Sequence, residues 1–329
     1  MTLRTILFLV NGIALLAFIV MAILGSRGRT PAPPANMVEY YDDETMEGAK
    51  LEKYLGAALI FSAILAAALP AYWLLEPNRQ TKMSKDFLSD SVERGRLRFA
   101  VAGTVPPSEV LNLECARCHG AKAEGGAATY LLQPTQPGAL VKTVSWTAPS
   151  LNDVLLRFSP DEVKQIITYG RPGTPMPAWG LPGGGPLPEQ PIDDLVNFLQ
   201  SIQVSPEQAQ KKYTDAAAKV MQDNPGISEG QALFMTMCAR CHTKGWSYGQ
   251  PEQMGGGGAF GPNLTGGVEV RQFPPLGGGV AKHVEFVTTG SDFQKAYGTQ
   301  GIGSGRMPGF GQLLTARQID EIVLYERGL

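Results

Sequence analysis

No block of lysine or arginine stands out in this sequence. Its 28 basic residues are balanced by 30 acidic ones, for a formal net charge of −2. The electrostatic footprint of a nucleic-acid partner is therefore missing, and no such partner is expected. Cysteine and histidine are scarce as well, four and three in 329 residues. A chain this long with four cysteines is not a disulfide scaffold, so their positions matter more than their number. The length leaves room for two or three domains. Apolar residues reach an ordinary 43%, but much of that share sits in two early segments.

The cysteines fall in two identical pentapeptides, Cys115-Ala116-Arg117-Cys118-His119 and Cys238-Ala239-Arg240-Cys241-His242. Cys-x-x-Cys-His is the attachment pattern of a c-type haem. Each thiol adds to one vinyl group, and the two-residue spacer matches the separation of the vinyls. The adjacent histidine then reaches the iron as proximal ligand. A single occurrence has chance matches. Two occurrences that consume all four cysteines and two of three histidines do not. Zinc held by two Cys-x-x-Cys pairs is a weaker reading, because more than a hundred residues separate the pairs. So is a redox dithiol, which would more naturally follow a strand.

Each iron needs a ligand on its other side. Met176 in GRPGTPMPAWG and Met307 in GSGRMPGFG are the candidates. Both are Met-Pro, then a small residue, then an aromatic, within Gly/Pro-rich loops able to lay a thioether over a haem face. Met235, Met237 and Met254 read as ordinary core fillers. Met/His ligation raises the reduction potential. His283, in KHVEFVTTG, reads as a surface or supporting histidine on a helix, and it leaves no count for bis-histidine ligation of both haems.

The apolar segments run from Ile6 to Leu24 and from Leu55 to Leu75. Each matches the roughly 20 residues that cross a bilayer, and Tyr72 and Trp73 end the second where aromatics favour the interface. A signal peptide followed by a buried core helix is the blander alternative. Flanking charge orients the pair poorly, but haem attachment belongs to the outer face. The sequence after Leu75 is thus expected outside, the 25–53 loop inside, and the first segment uncleaved. The acidic, aromatic stretch EYYDDETMEGAKLEK within that loop reads as a solvated connector or as a docking surface for a partner subunit.

The surroundings of the two motifs repeat. Gly95 and Phe99 precede the first, Gly230 and Phe234 the second. Pro149 and Pro262 follow them. A helix opened by the Ser159-Pro160-Asp161-Glu162 capping box and stopped at Gly170 matches one ending at Gly290. A final helix carries Phe198 in one half; in the other it opens at Thr315-Ala-Arg-Gln318 and carries Tyr325. A dozen or so extra residues separate Phe99 from Cys115. On these residues each half resembles a class I cytochrome c domain, over about three quarters of the chain. The resemblance implies two covalently bound haems c. It implies aromatic pairs Phe99–Phe198 and Phe234–Tyr325 where the terminal helices cross, and Pro149 and Pro262 carbonyls that orient the proximal histidines, Ala148 replacing the usual Gly before Pro149.

The expected fold is all-α, two tandem class I cytochrome c domains behind a two-helix transmembrane hairpin. Its parts are 1–76 as anchor, 77–203 as first domain, 204–226 as linker and 227–329 as second domain. The expected location is the cell membrane, in contact with lipid, with the haem domains on the outer face. With both irons six-coordinate, electron transfer is the expected work. The whole resembles the dihaem subunit of bc-type quinol–cytochrome c reductases, which implies cytochrome b and Rieske partners. An N-terminal anchor departs from that pattern and is shared with the dihaem subunit of cbb-type haem–copper oxidases, which would make a terminal oxidase the partner. A lone membrane-tethered carrier is a further alternative. A dinuclear copper site would need two more cysteines, and a dihaem peroxidase an open iron.

Overall fold

The computed structural model describes residues 43–329 apart from 107–109, 133–136, 139 and 251–254, and before residue 43 only positions 12, 13, 16, 19, 20 and 36. The chain divides into two units, 1–78 and 79–329. In the first unit, helix α1 (Asp43–Phe99, whose last turns belong to the second unit) carries the second apolar segment, with Pro70 and Pro77 inside it. Among the described residues this is one helix long and apolar enough to cross a membrane by length and composition. The large side chains Leu59, Ile60, Phe61, Trp73 and Leu75 are all exposed, as a lipid-facing segment requires. The first apolar segment, and with it the second limb of the expected hairpin, lies almost wholly outside the described residues.

The second unit holds two helical domains, each with its own hydrophobic core, their two-stranded hairpins falling at different places in the chain order. In the first, the end of α1 leads to the short helix α2 (Ala116–His119), then strands β1 (Gly126–Leu132) and β2 (Lys142–Ala148), helix α3 (Pro160–Tyr169) and helix α4 (Glu189–Ser201). Helix α5 (Pro206–Asp223) joins it to the second domain, built on α6 (Glu229–Met237), α7 (Ala239–His242), α8 (Val268–Gln272), α9 (Gly279–Thr289), strands β3 (Ala296–Tyr297) and β4 (Gly301–Ile302), and α10 (Ala316–Arg327).

Helix ends follow local chemistry. Ser159 and Glu162 close the capping box of α3, and Thr315 and Gln318 that of α10. Each box satisfies two donors that a helix start leaves open. In each domain the first and last helices cross at a glycine. A Cβ on Gly95 would strike the Asp194 carbonyl, and one on Gly230 the Glu321 carbonyl. Beside each crossing an aromatic pair packs with ring centres 5.2 Å apart, Phe99 on Phe198 and Phe234 on Tyr325. The cores grow from there: Val163, Ile167, Ile192, Leu195 and Leu199 in the first domain, Leu233, Leu313, Ile319, Ile322 and Val323 in the second.

Two departures from an all-α expectation are instructive. Strands β1 and β2 form an antiparallel hairpin, with Ala128 opposite Trp146 and Tyr130 opposite Val144. In KTVSWTA, Val144 and Trp146 are buried between exposed neighbours, the period-two alternation of a half-buried strand. A second, two-residue hairpin pairs β3 with β4. The stretch expected as a linker is also more than a connector. Ser205 caps α5 with a full capping box, and Ala209, Ala217, Tyr213 and Val220 join the second domain's core.

Candidate haem sites

Each Cys-x-x-Cys-His forms one helical turn, with the His N–H bonded to the carbonyl of the first cysteine, 2.9 Å for His119 to Cys115 and 3.0 Å for His242 to Cys238. The turn puts both thiols and the imidazole within a single short segment. All four cysteines are free. Burial pushes the Cys115 thiol up to about 12, and burial with the Glu326 carboxylate pushes Cys238 well above its ordinary value. Protonated thiols of this kind are poor exchange nucleophiles. Among the described residues no cluster of three His, Cys, Asp or Glu side chains could hold a metal ion.

Both motif histidines are buried. His119 Nδ1 lies 2.9 Å from the Pro149 carbonyl oxygen, and His242 Nδ1 lies 2.9 Å from that of Pro262. A carbonyl can only accept, so Nδ1 carries the hydrogen and Nε2 presents its lone pair. This is the arrangement a metal-ligating histidine uses. Burial lowers the pKa of His119, against the Pro149 bond and with help from Arg240, which favours the neutral, ligating imidazole. At the second site Gly261 passes flat against the ring, where an added Cβ would stand 2.6 Å from His242 Cε1.

The two Met-Pro loops are anchored alike. The Met176 carbonyl accepts from Arg171 N at 3.0 Å, and the Met307 carbonyl from Ser291 N at 2.9 Å. Both donors sit just past a helix-ending glycine of positive φ, Gly170 after α3 and Gly290 after α9. A Cβ on Gly170 would meet Pro177, and one on Gly290 would meet Pro308. The aromatic that follows bonds back to the helix in each case, Trp179 N to Ile167 O and Phe310 N to Val287 O. Met176 and Met307 are both half-buried.

His283 belongs to neither site. It is buried on α9, stacked on Phe273 with ring centres 4.7 Å apart, its Nε2 3.1 Å from Glu326 and 3.4 Å from Glu269. Asp153, unmarked by any motif, is fully buried. It accepts from Arg157 at 3.0 Å and from Lys212 and Tyr213 at 2.7 Å each. The last two lie on α5, so one carboxylate ties the first domain to the helix packed on the second.

Free thiols two residues apart and imidazoles with Nε2 available fit haem c at both places, and at the second a glycine clears the ring. The family model described as cytochrome c oxidase, cbb3-type, subunit III matches residues 106–199 and 225–325, once over each domain. The chain belongs to this cytochrome c family. Among curated proteins, the dihydro-heme d1 dehydrogenase of Pseudomonas aeruginosa is 28% identical over 127 residues. That match covers 39% of this cytochrome but only 21% of the relative's length. No solved structure matches the chain. Family membership implies covalently bound haem c and an electron-carrying role.

Proposed function

We propose that this cytochrome carries two haems c outside the membrane and transfers electrons as a subunit of a bc-type quinol–cytochrome c reductase. The observation that carries the two-haem reading is the duplicated site: two attachment turns, each with Nδ1 tied to a proline carbonyl, and two Met-Pro loops pinned past equivalent glycines. The cysteines Cys115, Cys118, Cys238 and Cys241 would hold the porphyrins. His119 with Met176, and His242 with Met307, would supply the iron ligands. Bound there, haem supplies one-electron chemistry at a potential raised by Met/His ligation. The protein's own part is to present neutral imidazoles and fix them by Pro149 and Pro262. The proposed anchor is a two-span hairpin over residues 1–76 with its loop inside, supported by the two apolar segments and by the outer-face location of haem attachment.

The family description favours a second reading, a subunit of a cbb-type haem–copper oxidase. Purification from membranes in mild detergent separates the two. Co-purifying haem b and Rieske subunits, with quinol reduction of the c haems blocked by a bc-type inhibitor, is the expected result. Co-purifying copper and oxygen reduction insensitive to that inhibitor would replace the reductase with the oxidase. Isolation of the chain alone would leave a tethered independent carrier.

A further inference from the structure

Both attachment turns have arginine at the same place, but the two arginines behave differently. Arg117 is exposed and pairs with Glu114 at 2.7 Å within its own surface. Arg240 is half-buried and reaches across the domain seam, its Nη1 donating to the Thr147 carbonyl of β2 at 3.0 Å. Thr147 lies two residues before Pro149, the residue whose carbonyl fixes His119. The Arg240 guanidinium packs over Trp246, 5.7 Å from the ring centre. An ordinary solvated arginine is what Arg117 shows; Arg240 instead spans the gap between one attachment turn and the proximal side of the other.

The rest of the seam is also built from residues next to the haem sites. Trp146, buried beside Thr147, packs on Tyr248 at 5.3 Å and Phe260 at 6.2 Å between ring centres. Phe260 immediately precedes Gly261, which lies against the His242 ring, and reaches Gly173 in the Met176 loop.

We propose that Arg240 is a positioning residue that pins the second haem-attachment turn to the proximal side of the first, making the seam between the domains the electron path within the chain. This rests on the two-haem reading. The step is a plain exchange: one electron leaves a ferrous centre, a ferric centre gains it, and no bond forms or breaks. Two physical effects of Arg240 follow. The Arg240–Thr147 bond holds the turns in register across the seam, and transfer slows as that register loosens. Its fixed positive charge disfavours the ferric state, which carries one more positive charge than the ferrous state.

The test uses the full-length holoprotein and its variants R240Q and R240K. Haem content and visible spectrum are recorded first, then potentiometric titration, then redistribution of a single flash-injected electron between the centres. For R240Q the expected result is two haems with unchanged axial spectra, one centre about tenfold easier to oxidise, close to 59 mV for a one-electron couple, and redistribution about tenfold slower. R240K should restore the potential more fully than the rate, since an ammonium keeps the charge but not the planar fork. R171Q, which removes a cation beside the Met176 loop and leaves the seam bond, should shift the potential alone. It carries the charge arm of the test if R240Q fails to mature. An R240Q protein with wild-type potentials and wild-type redistribution overturns the proposal. A wild-type protein with a single haem overturns the two-haem reading beneath it, and is recognised before any variant is made.

Discussion

Each motif histidine is fixed by a partner far along the chain. His119 and Pro149 are 30 residues apart, His242 and Pro262 20 apart, yet the two Nδ1–carbonyl distances agree at 2.9 Å. Such a bond sets ring orientation and leaves Nε2 as the only nitrogen able to bind iron. On the proposed ligation, Met176→Ala and Met307→Ala each remove a thioether without touching that bond. Each should turn one of the two irons high-spin and lower its reduction potential, seen by EPR and by loss of low-spin absorbance. A variant whose spectrum is unchanged would point to another ligand. At this scale the sequence was legible, because cysteine and histidine are rare and their spacing is fixed by the porphyrin. His283 was less so. Its position on a helix was readable from KHVEFVTTG, but its burial depends on Glu269, Phe273 and Glu326 from elements that sequence does not bring together.

The elements divide in the same way. The capping boxes at Ser159 and Thr315 and the stops at Gly170 and Gly290 are local signals, and the helices they bound are present. The β1–β2 hairpin departs from the all-α expectation although TVSWTA alternates cleanly, because the helical repeat on either side is the stronger signal. Helix α5 is expected as a linker because its partners are distant; composition alone does not reveal that Lys212 and Tyr213 meet Asp153. Burial would raise the Asp153 pKa, but Arg157, Lys212 and Tyr213 more than offset it, and the net shift is downward. A carboxylate depressed in the folded state stabilises it fully above the unfolded value of about 3.9 and loses that contribution as pH falls through the folded value. The α5 docking should therefore be flat across neutral pH and weaken only in acid, below about pH 4. Asp153→Ala leaves Arg157 and Lys212 facing no charge. It should cost about 3 kcal/mol, the low end for breaking a buried pair, because Lys212 is partly open to solvent. Denaturant unfolding of the holoprotein at pH 7 checks this, and a wild-type midpoint for the variant would contradict it.

At the scale of the whole molecule, one plan has been used twice and then specialised. Both domains keep the crossing glycine, the aromatic pair, the attachment turn and the pinned Met-Pro loop. They differ where they meet: the hairpin and Asp153 belong to the first domain, Arg240 and Phe260 to the second. The duplication was readable in the sequence, whereas the seam was not, since every contact across it joins residues without a shared motif. The α1 span supplies an apolar surface suited to lipid, and family membership makes the chain a c-type electron carrier. All of this depends on both domains carrying a haem. Pyridine haemochrome analysis of the purified full-length chain tests that most directly. The account predicts two haems c per polypeptide, both retained after acid–acetone extraction because they are covalently bound. One haem per chain, or haem lost to the solvent, would contradict it.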